Sequence, residues 1–367
     1  MMLNKRAGWL GLILALAWLA SCSSSSNTSS GGSPGRNAYL TLPQANGIAA
    51  YRVDPNTGSF TNVLGSPFVG GASPISIALH PSGKFLYSAN QSANNISLFN
   101  IDSTSGELTE VMPRTAVGLN PSSLAMAGGG NLLFVANETS NNISVFTVSA
   151  SDGTLTQVSG SPFATGAQPV ALALSPSGQF LYAASGNVAL VYGYAVASGT
   201  GALAPVPGSP FVVQSPAFSM AIDPSGHFLY AANFSADTVS GMMIDSSTGA
   251  LSLTSGSPFA TGTSPISVAV HPSGQFLYVA NEGSNNISVY AIDSTTGVTT
   301  QLTMSPFVAG TEPVFLTVDP AGKFLYVCNQ STKNISQFGI NLTTGGVPTS
   351  TIATTLTLAP GEMVFAK

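Results

Sequence analysis

The chain has 367 residues and a formal net charge of −5, with charged residues at 6% and hydrophobic residues at 44%. Nine Lys and Arg spread over that length cannot build a phosphate-tracking surface, which excludes nucleic acid as a partner. Aromatic and β-branched residues recur throughout, so the excess of Ser, Thr, Asn and Gly is not the signature of a disordered chain.

The N-terminus reads as a targeting segment. Lys5 and Arg6 form a basic region ahead of "AGWLGLILALAWLA", Ala7 to Ala20, an apolar run too short to span a bilayer comfortably. Residues 1–21 are therefore expected to be a signal peptide. Leu19-Ala20-Ser21-Cys22 resembles the lipobox of bacterial lipoproteins, which implies cleavage before Cys22 and its acylation. An ordinary signal peptide and an uncleaved anchor are the other readings. Ser23 after the cysteine resembles the pattern that allows passage to an outer membrane. The expected location is the cell envelope, extracytoplasmic and held to a membrane by lipid, each buried CH₂ contributing ~0.8 kcal/mol. Residues 22–36, rich in Ser and Gly, form a flexible tether behind that anchor.

From Asn37 to Lys367 the chain repeats. "Gly-x-Phe-Leu-Tyr" or its equivalent recurs at Phe85, Leu132, Phe180, Phe228, Phe276 and Phe324, at spacings of 47 or 48 residues. A degenerate copy, "NAYLTLPQANGIAAYRVD", precedes them from Asn37 to Asp54. A proline opening an apolar strand falls at Pro74, Pro121, Pro169, Pro216, Pro265, Pro313 and Pro360. Each unit predicts four short strands. In the first full unit these are Ile75–Leu79, Lys84–Ala89, Asn95–Asp102 and Glu107–Val111. "His-Pro-Ser-Gly" supplies a turn after the first strand, with Pro setting φ and Gly the left-handed position. Four strands per unit of this length predict an all-β fold, a seven-bladed β-propeller of four antiparallel strands per blade. The first unit begins at its second strand, and Ala359–Lys367 aligns with a first strand. The ring is therefore expected to close by pairing that C-terminal strand with the N-terminal blade, leaving no exposed edge. The expected product is one propeller over residues 37–367, monomeric.

Seven units of "HPSG-x-FLY-x-AN…NNISV-aromatic-x-ID…TG" resemble the seven-bladed lactonase family, which includes 6-phosphogluconolactonase-like and carboxymuconate cyclase-like proteins. The resemblance covers about Asn37 to Lys367 and implies a lactone-hydrolysing ancestry. Active members carry a "Gly-Pro-Arg-His" motif entering an inner strand and a Glu in a "Val-Asn-Glu" loop. Here the entries read "SPIS" (Ser73 to Ser76), "NPSS", "QPVA", "SPAF", "SPIS" and "EPVF", with no Arg-His pair. The glutamate half survives as "VANE" at Glu138 and Glu282.

Two loops of each unit share one face of a propeller: the loop entering the first strand, and the loop between the second and third. That top face is where a ligand is expected. Its asparagines (Asn90, Asn137, Asn233, Asn281, Asn329) repeat with the blade and are read as turn residues, bonding backbone N–H groups and tolerating positive φ. Residues that break the repeat are better candidates. Glu138 or Glu282 would serve as general base, with Arg114, Glu312 and Lys333 holding a ligand. His80 and His271 alternate with Ser175, Asp223 and Asp319 before the turn, and so read as turn caps on the opposite face. Cys328 takes a slot held elsewhere by Ala89, Ala136, Ala232 and Ala280, and reads as a small buried residue. The phenylalanines of the recurring "Ser-Pro-Phe" loops, such as Phe68, read as inter-blade packing. No metal-ligand spacing, phosphate loop or serine elbow occurs, so no cofactor and no metal are expected. Two functions follow: an envelope propeller that binds a protein or glycan on its top face, favoured by the missing Arg-His pair, or a hydrolase of a small lactone using a glutamate base.

Overall fold

The computed structural model describes residues 36–348 and 350–366. The expected signal peptide, Cys22 and nearly all of the tether lie outside the described residues.

The described residues form seven antiparallel sheets, one per blade. In the sixth blade the strands run from the innermost outward as Pro265–Val270, Phe276–Asn281, Asn286–Ile292 and Thr299–Gln301. In five blades a two-residue segment at the "Ser-Pro-Phe" loop also pairs with the third strand, as Phe307 does with Ile287. The seven inner strands adjoin one another in a closed circle about the axis.

Both faces of each sheet are covered, and the sequence reflects it. Every residue of "FLYVAN", Phe276 to Asn281, is buried. The buried apolar residues separate into seven clusters, and each cluster joins two neighbouring blades. Polar stitches run alongside. The Tyr87 hydroxyl of the second blade donates to the Gly153 carbonyl of the third at 2.7 Å. Tyr182, Tyr230 and Tyr278 repeat this bond into the next blade. The third blade has Phe134 at this position.

The ring closes as the repeat implied. Met363–Phe365 pairs with the first strand of the chain in the register Leu40↔Met363, Tyr39↔Val364 and Ala38↔Phe365. Thr41 extends the junction, its N–H donating to the Glu362 carbonyl at 2.9 Å.

One register differs from the expected pattern. Pro265 pairs with Asn281, but in the fifth blade Ala217, not Pro216, pairs with Asn233. Pro216 stands one residue before its slot, because the loop ahead of it is one residue shorter than that of the sixth blade.

Candidate functional site

The repeated top-face asparagines belong to the fold, though by another route than a turn. All five are fully buried. Asn281 donates through Nδ2 to Asn286 Oδ1 at 2.8 Å and Ser288 Oγ at 2.9 Å. Asn90, Asn137 and Asn329 make the same pair of bonds, and Asn233 bonds Thr238 Oγ1 and Ser240 Oγ in their place. Each is a clasp tying the second strand to the third, and Asn90 and Asn233 keep ordinary extended φ values. The left-handed residues come later in the loop: Asn46, Asn94, Asn141, Asp237, Asn285 and Lys333. Of these, Asn94 accepts the Asn120 N–H through its side chain at 2.7 Å, bonding one blade to the next. Asn46, Asn141, Asp237 and Asn285 do likewise.

The charged candidates sit on this framework. Lys333 occupies the left-handed slot at φ 50 and is exposed. Glu312 is also left-handed, its N–H bonded to Asn285 Oδ1 at 2.7 Å and its carboxylate accepting the Ser331 hydroxyl at 2.5 Å. Glu138 and Glu282 hold equivalent, partly buried corners. The Glu138 N–H donates to the Asn120 carbonyl and the Glu282 N–H to the Ser264 carbonyl, each at 3.0 Å. Asn120 Nδ2 also reaches Glu138 Oε2 at 3.3 Å.

Arg114 is placed differently from the loop residues. It lies on the outer strand of the second blade, Leu108–Ala116. Its Nε and Nη2 donate to the two carboxylate oxygens of Glu110 at 2.7 and 2.9 Å. That two-pronged pair holds the guanidinium charged, above its ordinary range, and engages it on the rim.

The histidines cap turns, as expected. His271 Nδ1 meets the Ser273 hydroxyl at 2.8 Å, and its Nε2 meets the Gly322 carbonyl of the next blade at 2.9 Å. Cys328 is buried, and burial pushes its thiol well above the usual range. That makes it unreactive. The "Ser-Pro-Phe" ring Phe68 packs onto a core cluster, and Phe163, Phe211 and Phe307 do the same.

Sequence reasoning missed the axial wall. The third residue of most inner strands carries a hydroxyl that bonds a backbone N–H of the next inner strand. Ser76 Oγ accepts the Leu124 N–H at 3.0 Å, and Ser123, Ser219 and Ser267 accept those of Leu172, Val268 and Leu316 at 3.1 Å. An inner-strand N–H that bonds outside its own sheet lies on the free edge, toward the axis. These four serines therefore form a belt round the axis. Ala171 and Phe315 fill two further positions, fixed by their pairing with Ala184 and Cys328. Glu362 fills the seventh. Its Oε2 accepts the Ile77 N–H at 3.1 Å.

Glu362 is thus the one carboxylate in a belt of hydroxyl and apolar groups. Packed protein surrounds its carboxyl, yet the residue keeps partial access to solvent, as a group on an axial wall can. Burial raises its pKa from 4.5 to about 7, against the lowering effect of the Ser76 hydroxyl and the Ile77 N–H. A carboxyl poised there can take up and return a proton at neutral pH. The signal was in the sequence: "APGE", Ala359 to Glu362, aligns with "SPIS", Ser73 to Ser76, and puts a carboxylate where a serine recurs.

No curated protein matches the chain in sequence. Among solved structures, a candidate 6-phosphogluconolactonase of Bacteroides uniformis ATCC 8492 is similar at TM-score 0.78 and 19% identity, over 91% of this chain and 100% of that one. One of Bacteroides fragilis NCTC 9343 is similar at 0.78 and 20%, over 93% and 100%. The periplasmic gluconolactonase PpgL of Pseudomonas aeruginosa is similar at 0.78 and 20%, over 90% and 99%. At these identities the likeness is one of fold. The family model "Lactonase, 7-bladed beta-propeller" matches in overlapping segments, 33–165, 111–219, 160–268 and 257–357. The chain belongs to the lactonase family of seven-bladed β-propellers.

Proposed function

We propose that the protein hydrolyses a lactone at the top end of the axis, with Glu362 as general base. The observation that carries this reading is the placement of the Glu362 carboxyl on the axial wall, its Oε2 3.1 Å from the Ile77 nitrogen in a slot that elsewhere holds serine, alanine or phenylalanine, where burial raises its pKa to about 7. In the reaction Glu362 takes a proton from water as the water oxygen bonds to the lactone carbonyl carbon. The ring C–O bond then breaks, and the departing alkoxide receives the proton back from Glu362. The products are a hydroxy acid and the original carboxylate. Family membership supports this chemistry, as do the names of the similar structures. Glu138 and Glu282, the bases expected first, stand in the loops above.

The test is hydrolysis of a panel of sugar lactones by the soluble propeller, corrected for spontaneous opening. Glu362→Gln is expected to lower kcat by about 10²–10⁴-fold. Wild-type kcat should rise with pH through an apparent pKa near 7, the value of Glu362. Unchanged turnover in Glu362→Gln would overturn the assignment, and loss confined to Glu138→Gln or Glu282→Gln would return the role to the loops.

A binding propeller for a protein or glycan is the second reading. It is favoured by the pairing of Arg114 with Glu110, which engages the arginine expected to hold a lactone's charge. For either function we propose attachment to an envelope membrane through acylated Cys22. Loss of fatty-acid labelling in Cys22→Ser tests it.

A further inference from the structure

We infer that the site takes an uncharged lactone, one without a phosphate or other anionic group. The inference rests on the hydrolase reading and narrows its substrate. It comes from where the fold puts charge.

Among the described residues, four of the six cations lie at the bottom of the propeller. Lys84 and Lys323 follow the turns between first and second strands. Arg36 pairs with Asp319 at 3.9 Å, and Arg52 donates to the Thr104 carbonyl in a bottom turn. Arg114 is on the outer rim, bonded to both oxygens of Glu110. Only Lys333 stands on the top loops, and it is exposed.

Acids lie at both ends, but at the bottom four cations offset them, whereas at the top they face Lys333 alone among the described residues. Glu138, Asp237, Glu282 and Glu312 all lie on the top loops. Glu362 is at that same end of the axis, since its N–H donates to the Thr41 hydroxyl next to the loop at Pro43–Ala45. A phosphorylated lactone would approach against this field and find no arginine fork among the described top-face residues to receive it. An uncharged lactone carries neither penalty. Its carbonyl gains negative charge only in the transition state.

The experiment compares glucono-1,5-lactone with its 6-phosphate at low and moderate salt. The uncharged lactone is expected to have the higher kcat/KM by tenfold or more. The rate with the phosphate should rise as salt screens the repulsion. Glu312→Lys, which puts a cation in a left-handed position like that of Lys333, should narrow the ratio several-fold. An equal or reversed preference overturns the inference while leaving hydrolysis standing. If neither lactone turns over, the hydrolase reading fails, and titration with gluconolactam and its 6-phosphate still decides the inference. Tighter binding of the uncharged lactam supports it. Tighter binding of the phosphate, or binding of neither, overturns it.

Discussion

The Tyr326 hydroxyl donates to the Gly58 carbonyl at 2.8 Å, a bond between the seventh blade and the first across 268 positions of sequence. It is the tyrosine stitch of the other blades, here drawn across the seam of the ring. Tyr326→Phe leaves that carbonyl without its partner and should cost about 1–3 kcal/mol. Gly58→Ala should cost more. Gly58 has φ +71, and an added methyl would sit 2.8 Å from the Tyr326 hydroxyl and 2.9 Å from the Phe324 ring. Urea unfolding of both variants is the measurement. A Gly58→Ala protein as stable as wild type would contradict the tight seam.

Removing residues 360–367 strips the inner strand from the first blade and bares the edge of Ala38–Leu40. It also opens a core cluster that includes Leu40, Met363 and Tyr326. The expected loss is several kcal/mol, roughly ten degrees or more in Tm. A truncated protein with an unchanged melting curve would mean that the terminal strand is ornamental.

Glu362 should make stability depend on pH. Its folded pKa of about 7 lies above the ordinary 4.5, so between these values the folded state binds more protons than the unfolded state. Stability is therefore greatest below about pH 4.5 with respect to this group. It should fall by up to about 3 kcal/mol as pH rises to 7 and beyond. Glu362→Gln should flatten that slope, as read by urea unfolding at a series of pH values. A slope that persists unchanged would assign the effect elsewhere.

The asparagine clasps predict a loss of stability without a loss of binding. Asn281→Ala leaves Asn286 and Ser288 without their shared donor in a buried site. The expected cost is about 1–3 kcal/mol. The folded fraction should keep wild-type KM, and a changed KM with unchanged stability would move the residue into the site.

Arg114→Ala removes the pair with Glu110 on the rim. The partners' side chains are 29% and 16% exposed, so the expected cost is about 1 kcal/mol or less. Lactone turnover should be unaffected. A large loss of kcat would restore Arg114 to the site.

The fold was legible because its determinants repeat. Seven prolines, a 48-residue period and turn residues at fixed offsets fix the blade count, and a first unit lacking its inner strand, with a lone inner strand at the far end, foretells the closure. The site was less legible for the same reason. Asn90 and its equivalents look like turn formers, yet their buried side chains clasp two strands. That role depends on Ser97 seven positions away. Arg114 draws attention by breaking the repeat, but its partner is Glu110 on the same strand, visible only once the outer strand is seen to run on through Ala116. Glu362 sits in the most divergent copy, where alignment is weakest, and the meaning of its slot appears only when Ser76 is seen to bond Leu124 in the next blade. Burial then sets its pKa, and burial is a property of the assembled circle.

The pairing of Met363–Phe365 with Ala38–Leu40 also imposes an order of events during synthesis. The propeller's first strand must wait for a strand more than 300 residues later before its edge is covered. Through that interval a partly emerged chain presents a naked, apolar β-edge, a template for mispairing with other chains. Closure of the ring therefore does more than add one strand, because it removes the edge at which such mispairing would begin.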